Sequence, residues 1–252
     1  MDDSALLRYS RHLLLEELGV EGQARLRAAH ALVVGAGGLG CPAALYLASS
    51  GLGRITLVDA DRVDATNLQR QILYRDADVG APKVTAARAA LGAVNPEVAL
   101  VALDERLDAE GAARLVATAD VVLDCTDNFA TRHALNRACV RHRRPLVSGA
   151  AIRFDGQVSV FDLRDASAPC YACLFPEDGG AEEVRCAVMG VLAPLTGLVG
   201  ALQAAEAIKL VSGAGRALSG RLLMIDMLES DFRTVRLARD PACAACRERG
   251  SA

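Results

Sequence analysis

Glycines in the spacing of a phosphate-binding turn are the first residues whose pattern indicates chemistry. Gly35, Gly37, Gly38 and Gly40 follow a short apolar run and precede an apolar helical segment. Glycines at this place permit a tight turn and let backbone N–H groups approach an anion, which the positive end of the helix dipole also attracts. Asp59 ends the next apolar run about 20 residues on, where a carboxylate can hold ribose hydroxyls. Together these residues predict nucleotide binding. The alternative is a tight strand–helix turn that binds no ligand. The pattern does not distinguish NAD from ATP.

Amides and cations follow Asp59. Asn67 and Arg70 lie in a polar stretch, and Lys83 stands in the first turn of a helix that begins at Pro82. A cation at this end of a helix dipole costs on the order of a few tenths of a kcal/mol, and a bound anion would reverse that sign. A solvated lysine and a surface arginine are the alternative interpretations.

A carboxylate and an amide follow a later apolar run. Asp127 and Asn128 come just after 121–124, at the edge of a parallel sheet where open α/β proteins bind ligands. In a site that already holds phosphates, a carboxylate can bind Mg²⁺. The alternative is that Asp127 only caps the helix that starts there.

Four of the eight cysteines form two matched pairs, Cys170-x-x-Cys173 and Cys243-x-x-Cys246. Two such pairs can close a tetrahedral thiolate site for a structural zinc ion. The alternative is two redox pairs, although neither lies in the strand–CxxC–helix setting of a thioredoxin-type site.

The remaining cysteines divide into two kinds. Cys41, Cys125 and Cys139 fall in or beside apolar segments, and we expect them to be small core residues. Cys186 lies in a polar stretch next to Arg185, and a neighbouring cation favours the thiolate. Cys186 is therefore a candidate nucleophile, with a loop cysteine of no covalent role as the alternative.

The elements that must position these residues alternate between short strands and helices. Strands are predicted over 31–34, 55–58, 99–102, 121–124 and 145–148. Helices are predicted over 4–19, 22–29, 40–50, 82–94 and 128–142, the first with an apolar face of Leu6, Leu7, Leu14, Leu15 and Leu18. Parallel βαβ units follow from this alternation, and they form a Rossmann-like, doubly wound α/β sheet.

The pattern changes after residue 150. The stretches 157–161, 222–226 and 232–237 alternate like antiparallel strands that extend the same sheet. Between them lie a polar segment, 177–185, expected to be a mobile loop, and an apolar helix, 190–210, expected to be buried or at an interface. We expect one domain over 1–252, with a nucleotide-binding half, 1–150, and a second half, 151–252, that carries the loop and the zinc knuckles.

Composition excludes several classes of protein. The 252 residues are 52% hydrophobic, which is enough for a substantial core, and the net charge of -3 offers no field for nucleic acid. The longest apolar stretch is interrupted by Gln203, Glu206 and Lys209, so we expect no membrane span. The N-terminal sequence lacks the pattern of a signal peptide, so we expect a cytoplasmic protein with reduced cysteines.

A series of short motifs, in this order, resembles that of the MoeB/ThiF family of ubiquitin-activating-enzyme-like adenylyltransferases. The motifs are Arg8-Tyr-Ser-Arg11, Gly35-Ala-Gly-Gly-Leu-Gly40, Asn67-Leu-Gln-Arg70-Gln71, Pro82-Lys83, Asp124-Cys-Thr-Asp127-Asn128, Ser148-Gly-Ala-Ala-Ile-Arg153, Gly156-Gln157, Ala193-Pro194 and Leu202-Gln-Ala-Ala-Glu206-Ala-Ile-Lys209. The similarity covers essentially the whole chain. It implies ATP-dependent adenylation of the C-terminal glycine of a small ubiquitin-like sulfur carrier that ends in Gly-Gly. The second half looks closer to molybdopterin-synthase activators than to thiamine ones.

The resemblance also implies roles for single residues. Asp59 would hold the ribose, Asn67, Arg70 and Lys83 the phosphates, and Asp127 Mg²⁺. Arg11 would reach the nucleotide of a neighbouring subunit, so the active form would be a homodimer. Zinc would bind the two cysteine pairs. In ThiF-like relatives a cysteine matching Cys186 links covalently to the carrier, whereas MoeB-like adenylation does not depend on it. We expect a separate protein to donate the sulfur.

Adenylation suits these residues chemically. A carboxylate with a pKa of about 4 is ionised at neutral pH, so the reaction needs positioning and positive charge rather than a general base. The four histidines all lie before residue 150, which weakens the first alternative, an NAD-dependent oxidoreductase. The second alternative is a non-catalytic scaffold for a ubiquitin-like partner, although such members usually lack the residues that contact ATP.

Overall fold

One sheet of eight strands runs through the part of the chain that the structure describes, residues 1–177 and 189–248 of a computed structural model. The strands are β1 (His30–Val34), β2 (Arg54–Val58), β3 (Ala99–Leu103), β4 (Val121–Asp124), β5 (Leu146–Ile152), β6 (Asp155–Phe161), β7 (Arg221–Asp226) and β8 (Asp231–Arg236). Their order is β3-β2-β1-β4-β5-β6-β7-β8. The strands from β3 to β5 in that order are parallel, and β6 to β8 are antiparallel. The predicted Rossmann-like sheet with an antiparallel extension is confirmed.

Helices cover both faces of the parallel part. They are α1 (Asp3–Arg8), α2 (Ser10–Leu13), α3 (Gly19–Ala28), α4 (Gly40–Ser49), α5 (Lys83–Val94), α6 (Ala109–Thr118), α7 (Phe129–His142), α8 (Tyr171–Leu174) and α9 (Ala193–Ser212), with 3-10 turns at Ala65–Asn67 and Asp76–Asp78. One apolar core lies between the sheet and α3, α4, α5 and α9, and a second between the sheet and α6, α7 and α8. The central strands β1 and β4 are almost wholly buried because parallel strands are covered on both sides.

The N-terminal segment differs from its prediction. Instead of one helix over 4–19, two short helices meet at Tyr9, whose buried ring packs against Gly51. The predicted apolar face is mostly on the surface, because the chain turns where Tyr9 enters the core. Its exposed members are Leu6, Leu7, Leu14 and Leu15.

Two helices that follow β3 differ in how well the sequence predicted them. Helix α6 is absent from the predicted elements, although Asp108 caps it and Ala112 and Val116 bury one face. Helix α9 has the length and mean hydropathy of a membrane span, alone among the described helices. It instead packs in the core against α4, β5 and β6, which confirms the expectation of a buried helix.

The predicted polar loop falls largely outside the described residues. Of 177–185, the structure describes only Glu177, and residue 186 lies in the same undescribed stretch, 178–188.

Candidate nucleotide site and cysteine cluster

The candidate nucleotide site lies where the strand order reverses, between β1 and β4. The connections after these two strands leave the sheet in opposite directions, and open α/β proteins bind ligands in the crevice between them. The glycine turn follows β1, Asp59 follows β2, and residues 125–128 follow β4. The sheet thus brings together three segments that are distant in sequence.

The glycine turn has no room for side chains at two positions. Gly35 has a φ of 92°, and a Cβ there would lie 2.6 Å from the Cys125 carbonyl oxygen. A Cβ on Gly40 would lie 1.8 Å from the Gly35 carbonyl oxygen. Within the described chain, the backbone N–H groups of Gly37 and Gly38 donate to no protein acceptor, and α4 begins directly after them. An anion placed there would meet free donors and the positive end of a helix dipole.

Side chains from other elements contact the backbone of this turn and hold it in place. The Tyr74 hydroxyl donates to the Ala36 carbonyl oxygen at 2.6 Å, and Cys41 Sγ lies 3.4 Å from the same oxygen. Helix α9 packs so closely that a Cβ on Gly200 would lie 2.3 Å from the carbonyl oxygen of Leu39. These contacts fix the turn before any ligand binds.

Asp59 is attached to the turn. Its Oδ2 accepts from Ala36 N at 2.7 Å and its Oδ1 from Asp61 N at 2.8 Å. Burial raises the pKa of this carboxyl, and the nearby charge of Lys83 opposes that effect. The two backbone donors hold the carboxylate at the end of β2, where a sugar hydroxyl could share it.

Lys83 is 5% exposed, so the alternative of a solvated lysine is wrong. Its Nζ lies 2.8 Å from Oδ2 of Asp61, whose own side chain is 66% exposed. A buried cation with one solvent-facing partner can transfer part of its interaction to an incoming phosphate. Asp61 is a residue of this site to which the sequence pattern assigned no role.

Asn67 ends the 3-10 turn Ala65–Asn67, and Arg70 lies in the turn that follows it. Arg70 is half-buried, and its Nη2 donates to Asn67 Oδ1 at 3.2 Å while Nη1 donates to the Thr66 carbonyl oxygen at 3.2 Å. Gln71 is 3% exposed, and its Oε1 has no partner among the described residues. It faces Gly37, since a Cβ on that glycine would lie 3.7 Å from Gln71 Nε2.

Asn128, rather than Asp127, caps α7. Asn128 Oδ1 accepts from Thr131 N at 2.9 Å, so the alternative in which Asp127 is the cap is wrong. The Asp127 side chain is exposed at the mouth of the site. Its carboxylate is therefore available to a cation.

The segment after β4 is held by buried polar groups that sequence reasoning missed. Asp124 accepts from Thr126 Oγ1 at 2.7 Å and from Ser148 Oγ at 3.0 Å. Arg132 Nη2 donates to the carbonyl oxygens of Thr126 and Gly149. The only sequence indication was a charged residue among the apolar positions of a helix. These bonds fix the backbone that presents Asp127.

Gln203 performs a similar function from α9. It is fully buried, and its Nε2 donates to the carbonyl oxygens of Asp124 at 2.8 Å and Val147 at 3.2 Å. An amide in an otherwise apolar helix is the sequence feature that could have identified it.

The two cysteine pairs converge, although they are distant in the sequence. All four Sγ atoms lie within 4.8 Å of one another. Cys170 and Cys243 are 3.7 Å apart and Cys173 and Cys246 3.6 Å, close to the roughly 3.8 Å between sulfurs around a tetrahedral ion with Zn–S bonds of about 2.3 Å. Asn136 Nδ2 adds a donor 3.6 Å from Cys170 Sγ. The group therefore fits a closed tetrathiolate metal site better than two separate redox pairs.

Other predicted residues lie apart from the nucleotide site. Cys41, Cys125 and Cys139 are buried, which confirms them as core residues. Cys186 lies outside the described residues. Arg11 is exposed on α2, which packs beyond the C-terminal end of α4, whereas the glycine turn lies at the N-terminal end of that helix.

This fold is that of a doubly wound α/β protein with a candidate nucleotide site, and comparisons with known proteins identify its family. A model of the ThiF family matches residues 9–245. Molybdopterin-synthase adenylyltransferase of Escherichia coli is 47% identical over 246 residues, 98% of each chain. The SAMP-activating enzyme E1 of Haloferax volcanii is 45% identical over 99% of this chain and 92% of that protein. A crystal structure of Escherichia coli MccB with ATP has a TM-score of 0.82 at 25% identity, over 95% of this chain and 73% of that one.

The chain belongs to the ThiF family. It is an enzyme of the adenylyltransferase class, in a family that uses ATP and activates ubiquitin-like sulfur carriers. The family and the class that the motif series predicted are confirmed.

Proposed function

We propose that this protein adenylates the C-terminal glycine carboxylate of a small ubiquitin-like sulfur carrier. The observation that carries the proposal is the crevice between β1 and β4. The glycine turn after β1 has unpaired N–H groups, Lys83 is a buried cation at the start of α5, and Asp127 has an exposed carboxylate after β4. Such a set suits a polyanion together with its metal ion.

Each residue has a role in this proposal. Asp59 accepts hydrogen bonds from the ribose hydroxyls, and Asn67, Arg70 and Lys83 contact the phosphates. Asp127 holds Mg²⁺, which would neutralise phosphate charge when bound. The carrier carboxylate oxygen forms a bond to the α-phosphorus, and the bond from that phosphorus to the β-phosphate oxygen breaks to release pyrophosphate. No proton moves, so the chain supplies position and positive charge.

The carrier has a path to the site over the antiparallel extension. Arg233, Met224, Gln157 and Ala150 are paired in register across β8, β7, β6 and β5, so their side chains share one face. Ala150 lies two residues past the Ser148–Asp124 pairing, next to the segment after β4. Three strand spacings of about 4.8 Å separate the ends of this row, which an extended tail of about five residues crosses.

The outer end of that row suits an apolar partner. Met224 is 47% exposed, and Val235, on the same face of β8, is 46% exposed. We propose that an apolar patch of the carrier docks on these residues and directs its Gly-Gly tail along the row.

The active form in this proposal is a homodimer. Helix α4 has 10 residues and is about 15 Å long, so Arg11 lies too far from the glycine turn of its own chain. The exposed leucines beside it, Leu6, Leu7, Leu14 and Leu15, would be buried against a second copy. Arg11 then adds a positive charge to the neighbouring nucleotide.

Zinc has a structural role in the proposal, and Cys186 is a candidate for a later step. Four cysteine ligands leave no open position for catalysis. Zinc at Cys170, Cys173, Cys243 and Cys246 would therefore link the C-terminal segment to the segment that contains α8. Cys186 is the candidate nucleophile for sulfur transfer. A Cys186→Ala variant that transfers sulfur at the wild-type rate would remove it from the mechanism.

The proposal also covers the domain organisation, the pathway of the carrier and the location of the protein. The chain acts as one domain, whose halves 1–150 and 151–252 supply the nucleotide site and the carrier surface. Its carrier belongs to molybdopterin synthesis, as the name of its relative in Escherichia coli indicates. We place the protein in the cytoplasm, with the sulfur donor a separate protein.

ATP–pyrophosphate exchange tests the proposal. Purified protein with Mg²⁺ is assayed with a molybdopterin-type and a thiamine-type carrier, each intact and without its last two glycines. We expect exchange that requires the intact tail and is faster with the molybdopterin-type carrier. Exchange that ignores the tail would contradict carboxylate adenylation, and absence of ATP binding would overturn the roles of Arg70, Lys83 and Asp127.

A further inference from the structure

Two buried amides fasten the short helix α2 to the body of the fold. The hydroxyl of Tyr9 accepts from Asn95 Nδ2 at 2.9 Å, and His12 Nδ1 lies 3.1 Å from Gln23 Oε1. Asn95 and Gln23 are both 0% exposed. Arg11 lies between these two anchored residues, and its own side chain is exposed. The backbone that carries Arg11 is therefore fixed on both sides while the guanidinium faces outward.

The same amides also cap a helix. Asn95 Nδ2 donates to the carbonyl oxygen of Ala48 at 2.8 Å, and Gln23 Nε2 donates to that of Ser50 at 2.8 Å. These carbonyls are at the C-terminal end of α4, where a helix lacks internal donors. The anchor of Arg11 is therefore built on the end of α4 that lies away from the glycine turn of the same chain.

We infer that Gln23 and Asn95 are positioning residues that hold Arg11 for the nucleotide site of a second copy of this chain. The inference rests on the proposed adenylation by a homodimer. A flexible arginine loses little from loose anchoring at the surface, but a charge aimed at a reacting phosphate must be placed accurately, and an error of about 1 Å can cost about 100-fold. Buried amides with both polar atoms bonded restrict the segment more than apolar packing would.

Mixed dimers test the inference. Two differently tagged chains are co-expressed, and Lys83→Met in one of them leaves one working site per dimer. When Gln23→Leu is in the Lys83→Met chain, the working site receives Arg11 from the altered chain, and we expect exchange to fall about tenfold. When Gln23→Leu is in the other chain, the working site receives an unaltered Arg11, and the rate should stay within about twofold of the control dimer.

The two dimers are matched controls for each other, because they contain the same substitutions and differ only in which chain carries Gln23→Leu. Equal loss in both placements, or loss only when Gln23→Leu shares the chain with Lys83, would overturn the inference and make Gln23 a local structural residue. Tyr9→Phe removes only the hydroxyl that Asn95 contacts and should give the same asymmetry if Gln23→Leu folds poorly.

Arg11→Ala in the same two placements separates the two proposals. A loss confined to the dimer in which Arg11→Ala accompanies Lys83→Met supports action across the dimer, whatever Gln23→Leu does. No exchange in wild-type dimers would refute the proposed adenylation itself.

Discussion

At the residue scale, two charged side chains of the candidate site, Lys83 and Asp127, carry most of the account. Lys83 is buried and forms an ion pair with Asp61. Asn128, rather than Asp127, caps α7. The sequence identified Lys83 because a cation at a helix start is unfavourable without an anion. It could not identify Asp61 as the partner of Lys83, since Asp61 differs from other polar residues only in where the fold places it.

The first prediction concerns Lys83. Lys83→Met keeps an apolar stem in a buried position but removes the charge that faces the phosphates. We expect ATP–pyrophosphate exchange to fall at least about 100-fold, with little change in Tm. Arg62→Met is the matched control, because Arg62 is an exposed cation whose guanidinium donates to the Gly80 carbonyl oxygen, and the exchange rate of this variant should stay within about twofold of wild type. Equal losses in the two variants would contradict a specific role for Lys83.

At the scale of elements, the helices α4, α7 and α9 place the site. The strands and most helices could be predicted from apolar runs and from the glycine, proline and polar residues that separate them. The close packing of α9 on the glycine turn could not, because its small residues do not reveal which of them touches another backbone. Gly197 and Gly200 look alike in the sequence, but only Gly200 abuts Leu39 and Pro42.

This difference gives a second prediction. A Cβ at Gly200 would lie 2.3 Å from the Leu39 carbonyl oxygen, so Gly200→Ala should displace the turn, lower stability by about 1–3 kcal/mol and weaken ATP binding about tenfold. A Cβ at Gly197 would meet no atom of the described residues within 4 Å, so Gly197→Ala should raise stability by roughly 0.5–1 kcal/mol without changing ATP affinity. Chemical denaturation and calorimetric titration with ATP measure both effects. Identical behaviour of the two variants would mean that α9 does not support the turn.

At the scale of the whole molecule, the cysteine cluster connects distant parts of the chain. The spacing of the CxxC pairs predicted a four-ligand site, and the structure brings the sulfurs together. The exposure of the N-terminal leucines was not predictable, because helical periodicity shows an apolar face without showing what covers it. We propose that a second copy of the chain buries these leucines.

A third prediction follows from the cluster. Cys170 and Cys243 are 73 residues apart, and a link that closes a loop of that length stabilises by about 4 kcal/mol in the chain-entropy account. Cys243→Ser should therefore lose bound zinc and lower Tm by roughly 8–16 °C, while protein that remains folded still binds ATP. Zinc content and thermal melting check this together. A zinc-free preparation with unchanged Tm would remove the linking role.

The most direct measurement of the central claim is the intact mass of the carrier after incubation with this protein, ATP and Mg²⁺. Carboxylate adenylation predicts that the intact carrier gains the mass of one AMP group, in a product that hydroxylamine cleaves as it does other acyl adenylates. A carrier without its terminal glycines should gain nothing. If ATP is consumed while the intact carrier keeps its original mass, or if AMP is found on a side chain of the enzyme instead, the account is contradicted.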